Sequence, residues 1–334
     1  MILKTIDTRL LNAALLIVLL LVLALVLSVG AVDIDLGKAL DDAWHHRITV
    51  ESLILFDIRL PRALLAALVG ATLGLAGAAL QGLLRNPLAE PGIVGVSNGA
   101  ALGAVLVFYY GLAGFAWFVL PLAGLMGALL AVLCIFLLVG QSRSTITLIL
   151  AGVAINAIGG ALIALALNFA ASPYAMQEIL FWLLGSVANR SFREVQIALP
   201  FMLLGWGMIL YCGRFLNALT LGEETARSLG FDVLRLRLML IMGVASSVGA
   251  AVSVAGNIGF IGLVVPHLAR PFVGYEPRRL LFASALVGAV MLLLADLTVQ
   301  SLSGSTEMKL GVITSLVGAP FFLLLILKSR NTLQ

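Results

Sequence analysis

The sequence predicts an all-α polytopic membrane protein with about ten transmembrane helices. Of its 334 residues, 62% are hydrophobic and only 11% are charged, whereas a soluble domain carries roughly 25% charged residues. So few charges cannot cover the surface of a soluble protein of this size, and most of the chain must therefore face lipid. The chain also contains many apolar runs near the roughly 20 residues that cross a bilayer. Its 34 glycines are typical of closely packed membrane helices.

Ten apolar runs account for most of the chain, and we expect one domain, residues 1–334, without a flexible linker. The predicted spans are 10–32, 63–83, 92–112, 115–139, 145–169, 195–213, 236–255, 257–272, 280–299 and 310–327. The first run is too long for a typical signal-peptide core, which favours a retained span over a cleaved signal. The eighth run is short and contains Pro266, so we expect that helix to be broken or tilted.

The distribution of lysine and arginine predicts the orientation. With both termini inside, thirteen of the 20 Lys and Arg residues lie on the inner side and seven on the outer side. Positive residues are enriched in cytoplasmic loops, so we expect a multi-pass protein with both termini in the cytoplasm. The acidic segment 33–61 then lies outside, and 214–235 is the longest inner segment.

Two predicted spans carry small or polar residues at every fourth position, which places them on one helix face. We expect these faces to pack against neighbouring helices. The positions are Gly70, Gly74, Ala78 and Gly82 in the second span, and Gly152, Asn156 and Gly160 in the fifth. Two roles stay open for Asn156: a hydrogen bond between helices, or a place in the wall of a pore.

Few ionisable residues lie inside the predicted spans, which bears on how the protein is powered. Ion-coupled carriers keep such residues within the membrane despite the cost of burying a charge in lipid. Asp296 stands out near the outer end of the ninth span, although a structural hydrogen bond explains it equally well. The sequence contains no G-x-x-x-x-G-K-[ST] nucleotide loop. An ATPase activity in this chain is therefore not expected, and an ion-coupled secondary transporter is the alternative interpretation.

The inner segment contains a predicted short helix over residues 221–230. Glu223 and Glu224 lie in its first turn, where the helix dipole favours acidic residues. Gly230 is suited to end it in the left-handed conformation. Ala226 and Leu229 lie three residues apart and are expected to share a face. A contact for a partner subunit and an ordinary connecting helix are both compatible with this pattern.

Five stretches of the sequence, in order, resemble the FecCD-type permeases of ABC importers, which take up ferric siderophores, haem and cobalamin. The longest is RNPLAEPGIVGVSNGAALGA. The stretches occupy Phe56–Arg62, Arg85–Ala104, Leu221–Gly230, Gly256–Arg270 and Leu310–Phe322. The resemblance covers nearly the whole chain.

This resemblance implies a type II ABC importer permease fold of ten helices, with an inverted repeat that relates spans 2–5 to spans 7–10. It also implies a homodimer in the bacterial inner membrane, surrounded by lipid, with two ATPase subunits and one extracytoplasmic binding protein. ATP and Mg would be bound by the ATPase, so no cofactor and no catalytic residue is expected in this chain. For the substrate we expect a ferric siderophore first, then haem, then cobalamin.

The resemblance further assigns roles to individual residues. The coupling helix, 222–230, would contact the ATPase through Glu223, Glu224, Ala226, Arg227, Leu229 and Gly230. The gate of the translocation path would include Asn86, Leu88 and Thr145, and the binding protein would meet Arg59 and Arg62. The chain departs from the family pattern at Gln300, where the cobalamin permease has an arginine, and after Glu307, where proline is usual. Both departures concern the outer side.

The remaining polar and sulfur-containing residues predict no metal site. His45 and His46 are adjacent in a polar loop, where such pairs are usually solvated, and His267 is expected to be structural. Cys134 and Cys212 are isolated within apolar runs, which is typical of inert packing. The basic residues lie between spans and form no patch, so nucleic acid is not an expected partner.

Overall fold

The computed structural model describes residues 8–30, 32–92, 94–140, 145–170, 172–302 and 308–332. In these ranges all regular secondary structure is helical. The α-helices are α1 (Thr8–Ser28), α2 (Leu36–Trp44), α3 (Val50–Leu53), α4 (Leu60–Leu84), α5 (Val96–Tyr109), α6 (Val119–Val139), α7 (Thr145–Asn168), α8 (Pro173–Leu183), α9 (Phe192–Tyr211), α10 (Gly213–Leu219), α11 (Glu223–Ser228), α12 (Val233–Ala255), α13 (Ile261–Ala269), α14 (Pro277–Leu302) and α15 (Leu310–Thr332). A π-helical segment, Ile54–Arg59, joins α3 to α4.

Ten apolar helices of the described chain coincide with the ten predicted spans. Seven are long enough to cross a bilayer. They are Thr8–Ser28, Val50–Leu84, Val119–Val139, Ile146–Asn168, Phe192–Tyr211, Val233–Ala255 and Pro277–Leu302. Three shorter apolar helical stretches complete the set: Val96–Tyr109, Ile261–Val273 and Leu310–Leu325, the first part of α15. The prediction of an all-α protein with about ten spans is confirmed.

Two spans are shorter than a full crossing because the chain breaks before them. The third predicted span, 92–112, begins as a helix only at Val96, after Gly95 in the left-handed conformation with φ +75°. The eighth is broken as expected: α13 has nine residues and continues as the 3₁₀ turn Arg270–Val273. Pro91 in the first case and Gly256, with φ +73°, in the second do not suit a continuous helix.

The glycine face of α4 packs directly on neighbouring backbones. A methyl group at Gly70 would overlap the Gly288 carbonyl of α14, and one at Gly77 would overlap Gly262 of α13. Only residues without a side chain permit this approach. The second small-residue face also packs as predicted, because the Asn156 carbonyl of α7 accepts a hydrogen bond from the Asn98 side chain of α5, at 3.2 Å.

The packing of the helices is reciprocal between the two halves of the chain. Helix α4 packs against α14 and α13, and α12 packs against α6 and α5. Exchanging α4 with α12, α5 with α13 and α6 with α14 therefore reproduces the same contacts. This arrangement is the one expected of an inverted repeat, in which each half supplies one long central helix followed by a short one.

The bundle has two ends that carry different groups. We call the end with Arg59 and Arg62, where α4 begins, the arginine side. The opposite end, where α4 finishes, carries α10 and α11, and we call it the short-helix side. Gly82 near the end of α4 lies against Leu216 of α10, which fixes this assignment.

Candidate functional site

The two breaks meet about halfway along α4 and enclose a polar cavity. The loop between α4 and α5 and the loop between α12 and α13 both reach Leu73, near the midpoint of α4. The cavity has a volume of about 280 Å³. Its polar lining comes from three different parts of the chain: Glu90, Ser97, Asn98, Asn156 and Asn257. Irregular backbone and amide groups at this depth are tolerated only where they line a cavity or are buried in protein.

A second, wider cleft adjoins this cavity. It has a volume of about 710 Å³ and is lined by α15, including Ser315. The cavity and the cleft share Asn257, Gly259 and Phe260 as a common wall. Helix α7 borders the cavity and packs on α5 and α6. Helix α15 borders the cleft and packs on α13 and α14. The polar groups therefore lie between two helices that each leave one face uncovered within the chain.

Two of the three predicted gate residues, Asn86 and Leu88, lie at the start of the first break. Arg85 ends α4 in the left-handed conformation, with φ +48°. The Asn86 side-chain carbonyl then accepts a hydrogen bond from the Leu88 backbone N–H at 2.9 Å, which forms a tight turn on the short-helix side. Thr145 is the first residue of α7, and its side chain lies outside the described part of the structure. The gate role of all three residues stays a prediction.

Helix α11 forms as the sequence predicts. It begins after Gly222 (φ +107°), and Gly230 (φ +87°) follows its end. The Gly230 N–H donates to the Arg227 carbonyl at 2.9 Å, which closes the last turn. Glu223 lies in the first turn but faces the bundle, where the guanidinium of Arg237 in α12 pairs with it. Its second partner is Arg227, at 3.4 Å.

The expectation that Ala226 and Leu229 share a face of the short helix is wrong. Ala226 is fully buried against the bundle, whereas Leu229 follows the last helical residue and is 60% exposed. Glu224 is also exposed, and Leu221, just before the helix, is 67% exposed. Ala226 therefore anchors the short helix to its own chain, and Leu221, Glu224 and Leu229 form its outward surface.

A further contact on the short-helix side was not predicted from the sequence. The Asn217 amide of α10 donates to the Glu276 carboxylate at 2.9 Å, and its carbonyl accepts from the Arg278 backbone N–H at 2.8 Å. One amide thus ties α10 to the start of α14. Together with the Glu223–Arg237 pair to α12, this contact fixes the surface beside α11 to two long helices of the bundle.

On the arginine side, Arg62 forms a buried ion pair. Its Nε lies 2.9 Å from Oδ2 of Asp296, and its Nη2 lies 2.8 Å from Oδ1. The Gln300 amide donates to the same carboxylate at 2.8 Å. Asp296 is 1% exposed, so this bidentate pair joins α4 to α14 within the protein. The sequence left Asp296 open as either a functional acid or a partner in a structural hydrogen bond, and the structure shows the hydrogen-bonding role.

Arg59 is buried as well, with 7% of its surface exposed. Its guanidinium donates to the Leu27 carbonyl at the end of α1, at 2.8 Å, and to the Val32 carbonyl. It thereby satisfies the Leu27 carbonyl, which has no partner within the helix at its C-terminal end, and a carbonyl of the following segment. The predicted role of Arg59 and Arg62 in binding-protein docking is untested, but both guanidinium groups have partners within the chain.

The segment before α4 is more ordered than its polar sequence indicates. Asp35 caps α2, and the Lys38 ammonium lies 2.7 Å from the Glu51 carboxylate of α3. The hydrogen bond from Lys38 lowers the pKa of Glu51, and the same bond raises the pKa of Lys38. His45 contacts the Asp41 carbonyl at 2.9 Å and is exposed. In the described ranges no three metal-binding side chains lie together.

Four polar residues of the cavity were not singled out from the sequence: Glu90, Ser97, Asn98 and Asn257. Glu90 lies in the stretch Ala89-Glu90-Pro91-Gly92, at the edge of the third predicted span. It lines the cavity together with Phe260, which belongs to the opposite half of the chain. The available signal was an acidic residue followed by Pro-Gly at the edge of a short apolar run, which is typical of a broken membrane helix.

Comparisons with known proteins agree with this architecture. The chain is 42% identical to the uncharacterized ABC transporter permease protein YvrB of Bacillus subtilis (91% of this chain, 90% of YvrB). It is 39% identical to the vitamin B12 import system permease protein BtuC of Vibrio cholerae (93% and 94%). It is also 40% identical to the hemin transport system permease protein HmuU of Yersinia pestis (87% and 86%).

A solved structure and a family match extend this likeness to the whole fold. The structure is an inward-facing conformation of a metal-chelate type ABC transporter, with a TM-score of 0.85 and 32% sequence identity. The match covers 95% of this chain and 98% of that one. Residues 16–328 match the FecCD transport family, whose members are transport subunits rather than enzymes. The chain therefore belongs to the FecCD transport family and is a multi-pass permease subunit of an ABC importer.

Proposed function

We propose that two copies of this chain form a permease that moves a bulky metal chelate or corrinoid across the inner membrane. An extracytoplasmic binding protein delivers the substrate on the arginine side, and two ATPase subunits act on the short-helix side. Both termini then lie in the cytoplasm. The chain itself binds no cofactor, because ATP and Mg belong to the ATPase.

The observation that carries this proposal is the polar cavity beside two half-helices. Asn98, Asn156 and Asn257 present amide groups about halfway along α4, between two helices with uncovered faces. Amides that face lipid lose their hydrogen bonds to water, at a cost of several kcal/mol each. A second copy placed against α7 and α15 would remove these groups from lipid and leave a water-filled path between the copies.

The short-helix side supports docking of an ATPase. Leu221 and Leu229 expose apolar surface, and the exposed Glu224 lies between them in sequence. The buried pair of Glu223 with Arg237 and the burial of Ala226 hold this surface to α12. A rigid helix on a firm base transmits a displacement into the membrane helices, which a flexible loop does not.

The substrate class is proposed from size and chemistry. The described lining of the cavity offers amide and hydroxyl groups around one carboxylate. Such a wall gives a large molecule many weak contacts and no strong site, which suits passage. The relatives named for vitamin B12 and hemin import show that this fold serves chelates of different chemistry. A ferric siderophore is our first expectation, followed by haem and cobalamin.

An ion-coupled carrier is less compatible with the structure. Asp296 was its candidate coupling residue, but the carboxylate already accepts hydrogen bonds from Arg62 and Gln300. The structure thus gives this carboxylate a structural role, as the bidentate partner that joins α4 to α14.

The proposed assembly is tested by purifying the chain from its native membrane in mild detergent. We expect two copies together with two copies of an ATP-binding-cassette ATPase, and hydrolysis that the binding protein stimulates. Glu224→Lys combined with Leu229→Asp should release the ATPase and leave the dimer of this chain intact. A monomeric chain that binds no ATPase when the two are co-expressed would contradict the proposal.

A further inference from the structure

Helix α13 contains a proline, which leaves one carbonyl group of the helix without its usual donor. In an α-helix each carbonyl accepts a hydrogen bond from the N–H four residues further on. For Gly262 that residue is Pro266, which has no N–H. Both residues are buried, and water is scarce at the depth of a membrane span. The Gly262 carbonyl therefore needs a donor from another part of the chain.

The missing donor comes from Gln81 of α4. Its amide nitrogen, Nε2, lies 3.4 Å from the Gly262 carbonyl oxygen and 3.3 Å from that of Leu263, which is a three-centre hydrogen bond. The Gly262 carbonyl also faces Gly77 of α4, where a methyl group would overlap it. Gly77 and Gln81 are four residues apart and share one face of α4. Gly77 thus leaves room for the carbonyl, and Gln81 donates to it.

The oxygen of the same amide contacts the other end of α13. Oε1 of Gln81 accepts a hydrogen bond from Nη2 of Arg270 at 2.6 Å, and Arg270 is the first residue after the helix. The amide oxygen must face the guanidinium and the amide nitrogen must face the carbonyl groups, so a single orientation satisfies both. Gln81 is 3% exposed. One buried side chain therefore joins α4 to the beginning and to the end of α13.

The backbone of Gln81 carries the turn of residues 86–88, which we call the gate turn. Its carbonyl oxygen accepts hydrogen bonds from the N–H of Arg85, in the left-handed conformation, and from the N–H of Asn86 at 3.2 Å. These two bonds end α4, and the gate turn begins directly after them. Gln81 thus contacts α13 through its side chain and the gate turn through its backbone.

This link lies close to the proposed docking surface. The 3₁₀ turn Arg270–Val273 leads into α14, and the Asn217 amide of α10 is bonded to the residues at the start of α14. A displacement of α10 and α14 thus has a short, hydrogen-bonded route to the gate turn.

We propose that Gln81 is a positioning residue of the translocation path: by replacing the donor that Pro266 lacks and by binding Arg270, it fixes the gate turn relative to α13. The position of the gate turn depends on this chain alone. The consequence for transport rests on the proposed function.

Two variants separate the donor from the link. Gln81→Leu removes every hydrogen bond of the amide. Adding Pro266→Ala gives the Gly262 carbonyl a helical donor again, because alanine has an N–H, but it does not restore the hydrogen bonds between α4 and α13. We expect Gln81→Leu to lower the unfolding midpoint and the added Pro266→Ala to recover most of the loss, since a buried carbonyl then has its partner again. Pro266→Ala alone is the matched control.

The gate turn is followed by labelling Leu88→Cys with a charged thiol reagent in the purified permease. Cys134 is exposed and is replaced by alanine, whereas Cys212 is buried and stays. We expect Gln81→Leu to raise the labelling rate about tenfold, the size expected for loss of a hydrogen bond to a charged group. In the variant that also carries Pro266→Ala, the rate should stay raised although the unfolding midpoint recovers.

Arg270→Met keeps the test decisive if Gln81→Leu fails to assemble. It removes one side of the link and leaves the donor to Gly262 in place, so it should raise the labelling rate with little change in the unfolding midpoint. The proposal is overturned if Arg270→Met and the Gln81→Leu, Pro266→Ala variant both label at the parent rate. It is also overturned if Pro266→Ala returns the labelling rate of Gln81→Leu to the parent value, because Gln81 would then only satisfy a carbonyl.

Transport is measured separately, in the complete importer with Leu88 intact. We expect Gln81→Leu with Pro266→Ala to transport less substrate per ATP hydrolysed than Pro266→Ala alone. If the labelling changes as expected while this ratio is unchanged, the link stands and its role in transport is overturned. A parent protein that shows the labelling pattern but no ATP-dependent uptake would support the link and contradict the proposed function.

Discussion

The two ends of the bundle both bury charged residues of a family motif, but they pair them with different partners. On the arginine side, Arg62 and Arg59 point into the protein, where they meet Asp296 and backbone carbonyls. On the short-helix side, the ion pair of Glu223 with Arg237 lies beneath a surface that exposes Leu229. In both places the charged groups hold an element in position. On the short-helix side, the motif also exposes two leucines, Leu221 and Leu229.

This difference shows what a family motif does and does not specify. A motif that matches a docking segment identifies the segment, but it does not reveal which of its side chains reach the partner. Glu223 and Ala226 belong to the coupling motif and face their own chain. Partner proteins on either side of the membrane would then bind surfaces that inward-facing residues hold in position.

The largest expected effect follows from breaking the buried pair on the arginine side. Arg62→Ala leaves the Asp296 carboxylate, 1% exposed, with Gln300 as its remaining side-chain donor in the described chain. Removing one partner of a buried ion pair costs about 3–5 kcal/mol. We expect a clear fall in the unfolding midpoint of the purified protein in detergent and a lower yield of assembled permease.

A double replacement serves as the control for this prediction. Arg62→Met with Asp296→Leu removes both charges and keeps similar volume, which is often neutral or stabilising. It should recover most of the lost stability. If Arg62→Ala alone is as stable as the wild type, the arginine is not fixed by Asp296, and its docking charge is available to a partner.

The next effect concerns the outward surface of the short-helix side. Leu229→Asp places a charge on an exposed position, so the chain itself should remain stable. Binding of the ATPase should weaken by at least about tenfold, because an unpaired charge desolvated at an interface costs several kcal/mol. Titration of the purified permease with ATPase measures this loss, and Leu229→Met serves as the apolar control.

Ala226→Asp is the opposite case on the same helix. Ala226 is fully buried, so a carboxylate there should destabilise the chain before any partner is added. If Leu229→Asp and Ala226→Asp both lose ATPase binding while their unfolding midpoints stay unchanged, the assignment of Ala226 as an anchor and Leu229 as a contact residue is wrong.

A smaller effect is expected from the pair beneath the helix. The Arg237 side chain is 9% exposed and that of Arg227 is 39% exposed, although both contact Glu223. Exposed pairs contribute about 0–1 kcal/mol, and buried ones are far more sensitive to loss of a partner. Arg237→Gln should therefore lower the substrate transported per ATP hydrolysed, and Arg227→Gln should have little effect. Equal ratios for the two variants would show that the pair does not hold α11.

The smallest effect is expected in the segment before α4. The Lys38 hydrogen bond lowers the pKa of Glu51, so the stability that this pair adds is complete at neutral pH. It is lost when the pH falls through the pKa of Glu51 in the folded protein, below the usual range of glutamate. Both side chains are solvated, so Glu51→Gln should change the unfolding midpoint only slightly, and high salt should remove the difference. A large shift would show that this segment supports the arginine side.

The positions of the helices were predictable because a segment that crosses a bilayer must be apolar and close to a fixed length. Ten apolar runs, Pro266 in the short eighth span and the glycines of α4 led to the correct architecture. The orientation of individual side chains was not predictable in the same way. Burial of Ala226 and the partners of Arg59 depend on contacts between distant segments. Glu90 was missed because the cavity that surrounds it is assembled from three separate parts of the chain.

The central claim, that this chain is the permease of an ATP-driven importer, is tested most directly by uptake into proteoliposomes. Vesicles that contain this chain alone, with a proton or sodium gradient, are compared with vesicles that also contain the ATPase, internal ATP and the loaded binding protein. The account predicts uptake only in the complete system and none in response to the ion gradient. Robust gradient-driven uptake by the chain alone would contradict it.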